Sequence, residues 1–239
     1  MSLQDARVVI LGGTSGLGFA TAQAAAREGA HLAIASSSRE RVDRAVAELP
    51  AGTEGFVVDV TREDDIAQLF TTIGPFDHMV FTAGESLTLN PLHTMRLDAA
   101  REAFNRRYWG ALTAVRHGRE QIRRDGSIVL TTGAAKDRPH AGWTVAASIC
   151  GAIDALTRAL AIELAPIRVN AVSPGVVRTA LWDNMADDDR EALYRAVGEA
   201  LPVGRVGEAS DIAEAYLYLM RERFSTGQVI TVDGGTVLV

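Results

Sequence analysis

The chain is 239 residues long and 47% hydrophobic, enough to bury a substantial core as one large α/β domain or two small ones. A formal net charge of −6 and a pI near 5.4 leave no basic surface of the size nucleic acid needs, and the arginines at 106, 107 and 116–124 read as a solvated helix face. A single cysteine, Cys150, excludes an internal disulfide; with no apolar signal core at the start and no apolar run of membrane-spanning length, the cytoplasm is the expected location and no membrane or nucleic-acid partner is expected.

The apolar run Val8, Val9, Ile10, Leu11 predicts a first strand, and Leu11 to Gly18 (Leu-Gly-Gly-Thr-Ser-Gly-Leu-Gly) a glycine turn into an alanine-rich helix from Phe19 to Glu28, stopped by Gly29. Gly12, Gly16 and Gly18 are spaced so that the chain turns sharply, a pyrophosphate approaches backbone N–H groups, and the helix packs closely on the sheet. A plain tight turn is the competing reading. His31 to Ala35 is the second strand. In a dinucleotide site an acid at its end bonds the adenosine 2′-hydroxyl, whereas an arginine without an acid suits a 2′-phosphate. Here Ser36, Ser37, Ser38 and Arg39 follow, which favours NADP(H) over NAD(H) against a simple serine cap on the next helix.

A helix from Arg39 to Leu49 ends at Pro50, and Gly55 to Asp59 is the third strand. Arg62 to Ile73 buries Ile66, Leu69, Phe70 and Ile73 at helical spacing, and Asp77 to Ala83 is the fourth strand, closing in Ala83-Gly84. Four strand–helix alternations with short turns imply a parallel sheet covered on both sides, in one domain over 1–239 without linker or repeat. One helix is expected over Leu97 to Arg124, bearing Asn105, then a fifth strand over Ser127 to Thr132. Thr144 to Leu164 is a second long helix, nearly uncharged at first, then carrying Asp154, Arg158 and Glu163. Arg168 to Val172 is the sixth strand, 178–202 a mobile helical lid, Asp211 to Met220 an amphipathic helix and Gln228 to Val232 the seventh strand.

In this order the motifs resemble those of the short-chain dehydrogenase/reductase family over essentially the whole chain. Leu11 to Gly18 resembles its Thr-Gly-x-x-x-Gly-x-Gly turn; Asp59-Val60 its adenine-contacting pair; Phe81-Thr82-Ala83-Gly84 stands for Asn-Asn-Ala-Gly; and Arg168-Val169-Asn170-Ala171-Val172-Ser173-Pro174-Gly175 is similar to the segment along the nicotinamide. Asp233-Gly234-Gly235 matches the C-terminal strand ending. The resemblance implies an α/β fold, a single Rossmann-type doubly wound seven-stranded parallel sheet with helices on both faces. It implies cofactor contacts from Gly12, Thr14, Ser15, Gly16, Leu17, Gly18, Ser36, Ser37, Ser38, Arg39, Asp59, Val60, Ala83, Gly84, Pro174, Gly175, Val177 and Thr179. It also implies a homodimer or homotetramer built on the helices about 98–124 and 144–164.

The family's Ser, Tyr and Lys are not supplied at the matching places, which fall on Gly133, Val145 and Ile149. Loss of the phenol forfeits about 10²- to 10⁴-fold of acid–base catalysis. The remaining candidates for the chemistry are Asn105, matched to the family asparagine, Thr132, and the loop residues Lys136 and His140, of which Lys136 is the chain's only lysine. No metal is expected, and the substrate is an undefined small molecule. The expected function is therefore an NADP(H)-dependent oxidoreductase with an altered proton donor, or alternatively an NADP(H)-binding protein without catalysis.

Overall fold

The computed structural model describes residues 2–84 and 89–239. The strands β1 (Arg7–Leu11), β2 (His31–Ser36), β3 (Glu54–Val57), β4 (Phe76–Phe81), β5 (Ile122–Thr131), β6 (Arg168–Pro174) and β9 (Val229–Val232) form one sheet in the order β3-β2-β1-β4-β5-β6-β9. Every pairing is parallel. Strands buried on both faces are apolar at successive positions rather than alternately, as Val8, Val9, Ile10 and Leu11 are.

Side-chain alternation sends Val8, Ile10, Leu32 and Ile34 to one face, under α1 (Gly16–Arg27), α2 (Arg39–Glu48) and α8 (Ala209–Arg221). Val9, Leu11, Met79 and Ile128 go to the other, under α3 (Glu63–Ile73), α5 (Gly110–Gly118) and α6 (Thr144–Glu163). By length and composition α6 is apolar enough to cross a membrane, yet Ile149, Ile153, Leu156 and Leu160 bury its inner face in this core. Strand order reverses between β1 and β4, and the turns after these two strands open the crevice in which doubly wound sheets bind ligands.

Two expectations are corrected. The helix expected over Leu97 to Arg124 is three pieces: α4 (Leu97–Phe104), a π turn (Asn105–Trp109) and α5, which stops at Gly118. A side-chain carbon at Gly118 would lie 3.0 Å from the Phe70 ring, so glycine here lets the last turn of α5 approach α3 closely. Ile122, which shares the helical spacing of Leu112 and Val115, instead begins β5 by pairing with Phe76. The segment 178–202, expected to be helical, is likewise composite: β7 (Val177–Arg178), a short 3₁₀ turn (Ala180–Trp182) and α7 (Asp187–Ala200). β7 pairs with β8 (Gly207–Glu208), and Trp182 Nε1 donates to the Val177 carbonyl at 3.1 Å. Arg178 stacks over the Tyr194 ring at 4.4 Å and reaches Glu191 at 2.7 Å and Glu208 at 3.6 Å.

Candidate functional site

The glycine turn is close-packed in a way only glycine allows. Gly12 has φ +92°, and a side-chain carbon there would lie 2.6 Å from the Ala83 nitrogen. One at Gly18 would lie 2.3 Å from the Gly12 carbonyl and 2.4 Å from Thr82 Oγ1. Gly12 N–H donates to the Ala35 carbonyl at 2.8 Å, fastening the turn to the end of β2. Ser15 caps α1 through its extended backbone only, and the first turn of α1 carries no acid. The helix therefore presents N–H groups and a positive dipole end uncompensated by a carboxylate within it, a cradle that fits a pyrophosphate. Leu17, by contrast, packs its side chain into the core, and Thr14 lies on the turn itself.

At the adenosine end, Ser36 ends β2 and Ser38 caps α2, accepting from Arg41 N–H at 3.3 Å. Arg39 pairs with Asp43 at 3.6 Å, while Arg41 Nη2 reaches Ser37 Oγ at 3.4 Å. Arg41, absent from the sequence reading, thus joins the hydroxyl–guanidinium group. Asp59 accepts from the N–H of Thr61 at 2.9 Å and from its hydroxyl at 2.7 Å. Those bonds, with Arg106 and Arg62 nearby, hold its carboxyl below the usual range against the opposing effect of burial. Val60 turns its side chain into the core against Gly110, leaving only its backbone for a ligand.

On the nicotinamide side, Gly175 N–H donates to the Val232 carbonyl at 3.1 Å, pinning Pro174-Gly175 to the last strand. Val177 is buried, whereas Thr179 lies against the glycine turn, 3.5 Å from where a side-chain carbon on Gly16 would stand. The strap after β6 thus closes over the start of α1.

The candidates for chemistry divide. Asn105 opens the π turn with its side chain exposed, and two residues later Arg107 lays its guanidinium on Gly84: a side-chain carbon there would be 2.7 Å from Arg107 Cζ. The residue of this helix that meets the strand ends is Arg107 rather than Asn105. The wider π turn alters which residues share the sheet-facing stripe. Thr132 is buried and its hydroxyl donates to the Cys150 carbonyl at 2.8 Å. On α6, Ile149 is a core residue and Val145 packs against the same core. Cys150 is the residue that reaches Gly133, its sulfur 3.2 Å from a side-chain carbon placed there. The cleft-facing stripe of α6 therefore runs through Cys150, with Ala146 four residues before it and Asp154 four after, one residue beyond the positions read from the sequence.

Burial pushes the Cys150 thiol up, opposed by Arg107, its bond with Thr132 and Lys136. Lys136 sits in a 3₁₀ turn (Ala134–Lys136) after β5 and is held between Asp137 and Asp154, the latter at 3.5 Å. His140 is exposed, its ring edge-on to Trp143 with centroids 5.0 Å apart. Tyr108 meets Trp109 edge-on, and Tyr194 is buried under Arg178. The structure thus gathers Arg107, Thr132, Lys136 and Cys150, and leaves Asn105 and His140 outside that group. No local sequence signal marks Arg107, because the π turn between it and Gly110 breaks the helical spacing.

Over residues 12–237 the chain matches the family described as Enoyl-(Acyl carrier protein) reductase. Short-chain dehydrogenase/reductase ATR9 of Stachybotrys chlorohalonatus is 35% identical, covering 99% of this chain and 99% of its own. L-xylulose reductase of Mesocricetus auratus is 32% identical, covering 98% of each. A crystal structure of a small-chain dehydrogenase in complex with NADPH shares 39% identity and superposes with a TM-score of 0.88, over 99% of this chain and 100% of the other. Sheet order, glycine cradle and near-complete coverage by these oxidoreductases converge on one assignment: the chain belongs to the short-chain dehydrogenase/reductase family.

Proposed function

We propose that this protein is an NADP(H)-dependent oxidoreductase acting on a carbonyl or alcohol, with the family's usual proton donor replaced. The observation that carries the cofactor preference is the end of β2, where Ser36, Ser37, Ser38, Arg39 and Arg41 offer hydroxyls and two guanidinium groups and no carboxylate at that point. The likeness to an NADPH-bound dehydrogenase supports it. Bound in the cradle, the nicotinamide would supply the hydride, and the chain's part is to orient the acceptor and manage its oxygen. Of the groups gathered at the cleft, the Lys136 ammonium is the proton source in this reading, and Asp154 holds it in place. The protein assembles as a homodimer or homotetramer through α4–α5 and α6, where Trp109 and Ile162 are exposed.

A specific observation favours a second reading, nucleotide binding without turnover: Thr132 spends its hydroxyl on Cys150, and Gly133 has no side chain to offer. Titration calorimetry with NADPH and NADH, followed by an NADPH-oxidation assay over aldehydes, ketones and quinones, separates the two. Binding with turnover supports the enzyme, binding without turnover supports the silent protein, and absence of binding overturns both. Size-exclusion chromatography with light scattering tests the assembly; a monomer rejects it.

A further inference from the structure

We propose that the open edge of β3 is a docking strip: an extended segment of a partner protein adds to the sheet there as a further strand and lays long basic side chains along α3. The inference is independent of the reaction performed in the cleft.

β3 ends the sheet, and β2 is its only strand neighbour among the described residues. Val58 N–H donates to the Ser36 carbonyl at 2.9 Å, toward β2. Backbone groups alternate sides along a strand, so the N–H and C=O of Gly55 and Val57 point away from β2. Val57 is 41% exposed besides. The strand carries neither lysine nor proline to blunt this edge, and its one charged residue, Glu54, is taken by Arg7 at 2.6 Å. Such an edge accepts a peptide in extended form, main chain to main chain.

Beside the edge runs a groove of about 400 Å³ between β3 and α3. A side-chain carbon on Gly55 would lie 2.6 Å from Val42 of α2, so alternation turns Phe56 and Val58 to the α3 side. With Leu69 they make an apolar floor, and Asp64, Asp65, Gln68 and Thr72 complete the lining. Asp65 is engaged, accepting Asp59 N–H at 3.1 Å and pairing with Arg62 at 3.3 Å. Asp64 is exposed and has no partner among the described residues.

An apolar floor ending in an unanswered carboxylate selects the occupant. Lysine and arginine carry a charged head on an apolar stem, so the stem covers Phe56 and Leu69 while the head reaches Asp64. Residues of the added strand alternate between the two faces of the sheet, those between the basic ones turning to the α2 side, where Val57 favours an apolar neighbour. The partner segment therefore reads basic and apolar in alternation. A second copy of this chain does not fit: its β3 brings Glu54 and no basic residue, and pairing the two edges about a twofold axis draws the Asp64 carboxylates together.

The test is fluorescence anisotropy on the full chain with short, capped, dye-labelled peptides of alternating Val and Arg or alternating Val and Glu. The Val–Arg peptide should bind at least about tenfold more tightly than Val–Glu, and more weakly as salt rises. Asp64→Lys should reverse that order, a result that an unfolded variant cannot give. Val57→Pro removes an outward N–H and leaves the ladder to β2 intact; it should weaken the Val–Arg peptide about tenfold with the thermal melt unchanged. Equal affinity for the two peptides, no binding of either, an unreversed order in folded Asp64→Lys, or full affinity in Val57→Pro overturns the proposal. A dimer by light scattering that Val57→Pro converts to monomer gives the edge to a second copy and overturns it as well.

Discussion

Lys136 Nζ and Asp154 Oδ2 lie 3.5 Å apart across the gap between the turn after β5 and helix α6, each side chain only 11% exposed. The chain's sole lysine is thus committed to a buried carboxylate whose other oxygen, Oδ1, has no hydrogen-bond partner among the described residues. Removing the cation strands that charge, whereas removing both charges together does not. Lys136→Met should therefore cost about 3 kcal/mol of unfolding free energy and Lys136→Met with Asp154→Leu far less. Urea denaturation of the two singles and the double reads the coupling; additive losses would show that the pair does not act as one.

His78 lies in β4, buried, with Nδ1 2.9 Å from Ser127 Oγ. Burial holds its pKa down to about 4, from 6.5. Because the folded value is lowered, the unfolded chain takes up the proton first. Stability is full above about pH 6.5, falls as the pH drops through the window to about 4, and levels off below, a loss of about 3 kcal/mol. Melting temperature against pH should show that slope, and His78→Asn should flatten it; an unchanged slope would place the acid sensitivity elsewhere.

Glycine substitutions should separate by space alone. Gly18→Ala drives a methyl into the Gly12 carbonyl and Thr82, so NADPH affinity should fall at least about a hundredfold together with stability. Gly151→Ala, in α6 with nothing within 4 Å, should stabilise by about 0.5–1 kcal/mol. Calorimetry and thermal melts check both, and a fully active Gly18→Ala would contradict the close approach.

Cofactor choice should turn on the end of β2. Ser36→Asp puts a carboxylate where a 2′-phosphate would sit, and Arg41→Ala removes a guanidinium from Ser37. Each should lower the NADPH-over-NADH affinity ratio, by about tenfold or more, one charged contact being worth about 1.5–3 kcal/mol. An unaltered ratio in both would move the selectivity elsewhere.

The sheet was legible because parallel strands are apolar on both faces, and runs such as Val8 to Leu11 are hard to mistake. The close-packed turn after β1 was legible because backbone proximity demands glycine at Gly12 and Gly18. The surroundings of Gly84 and Gly133 were not. A five-residue π turn leaves no periodicity of its own, so the sequence does not say that Arg107 is the residue that lies against Gly84. On α6, apolar residues occupy neighbouring stripes, and nothing in Val145-Ala146-Ala147-Ser148-Ile149-Cys150 says which faces the cleft until Ile149 is seen in the core. Lys136 was recognised, but its partner Asp154 lies eighteen residues away on another element, a pairing that no local pattern encodes.

Glu208 links the 178–202 segment to α8. It ends β8, receives Arg178 from the strap, and caps α8 through reciprocal bonds with Asp211, whose carboxylate accepts Glu208 N–H at 2.8 Å. One residue is thus a joint between the piece that covers the glycine turn and a helix buried under the sheet. The Arg178–Glu208 pair and the Glu208 cap therefore tie the start of the 178–202 segment to the first turn of α8 through a single side chain.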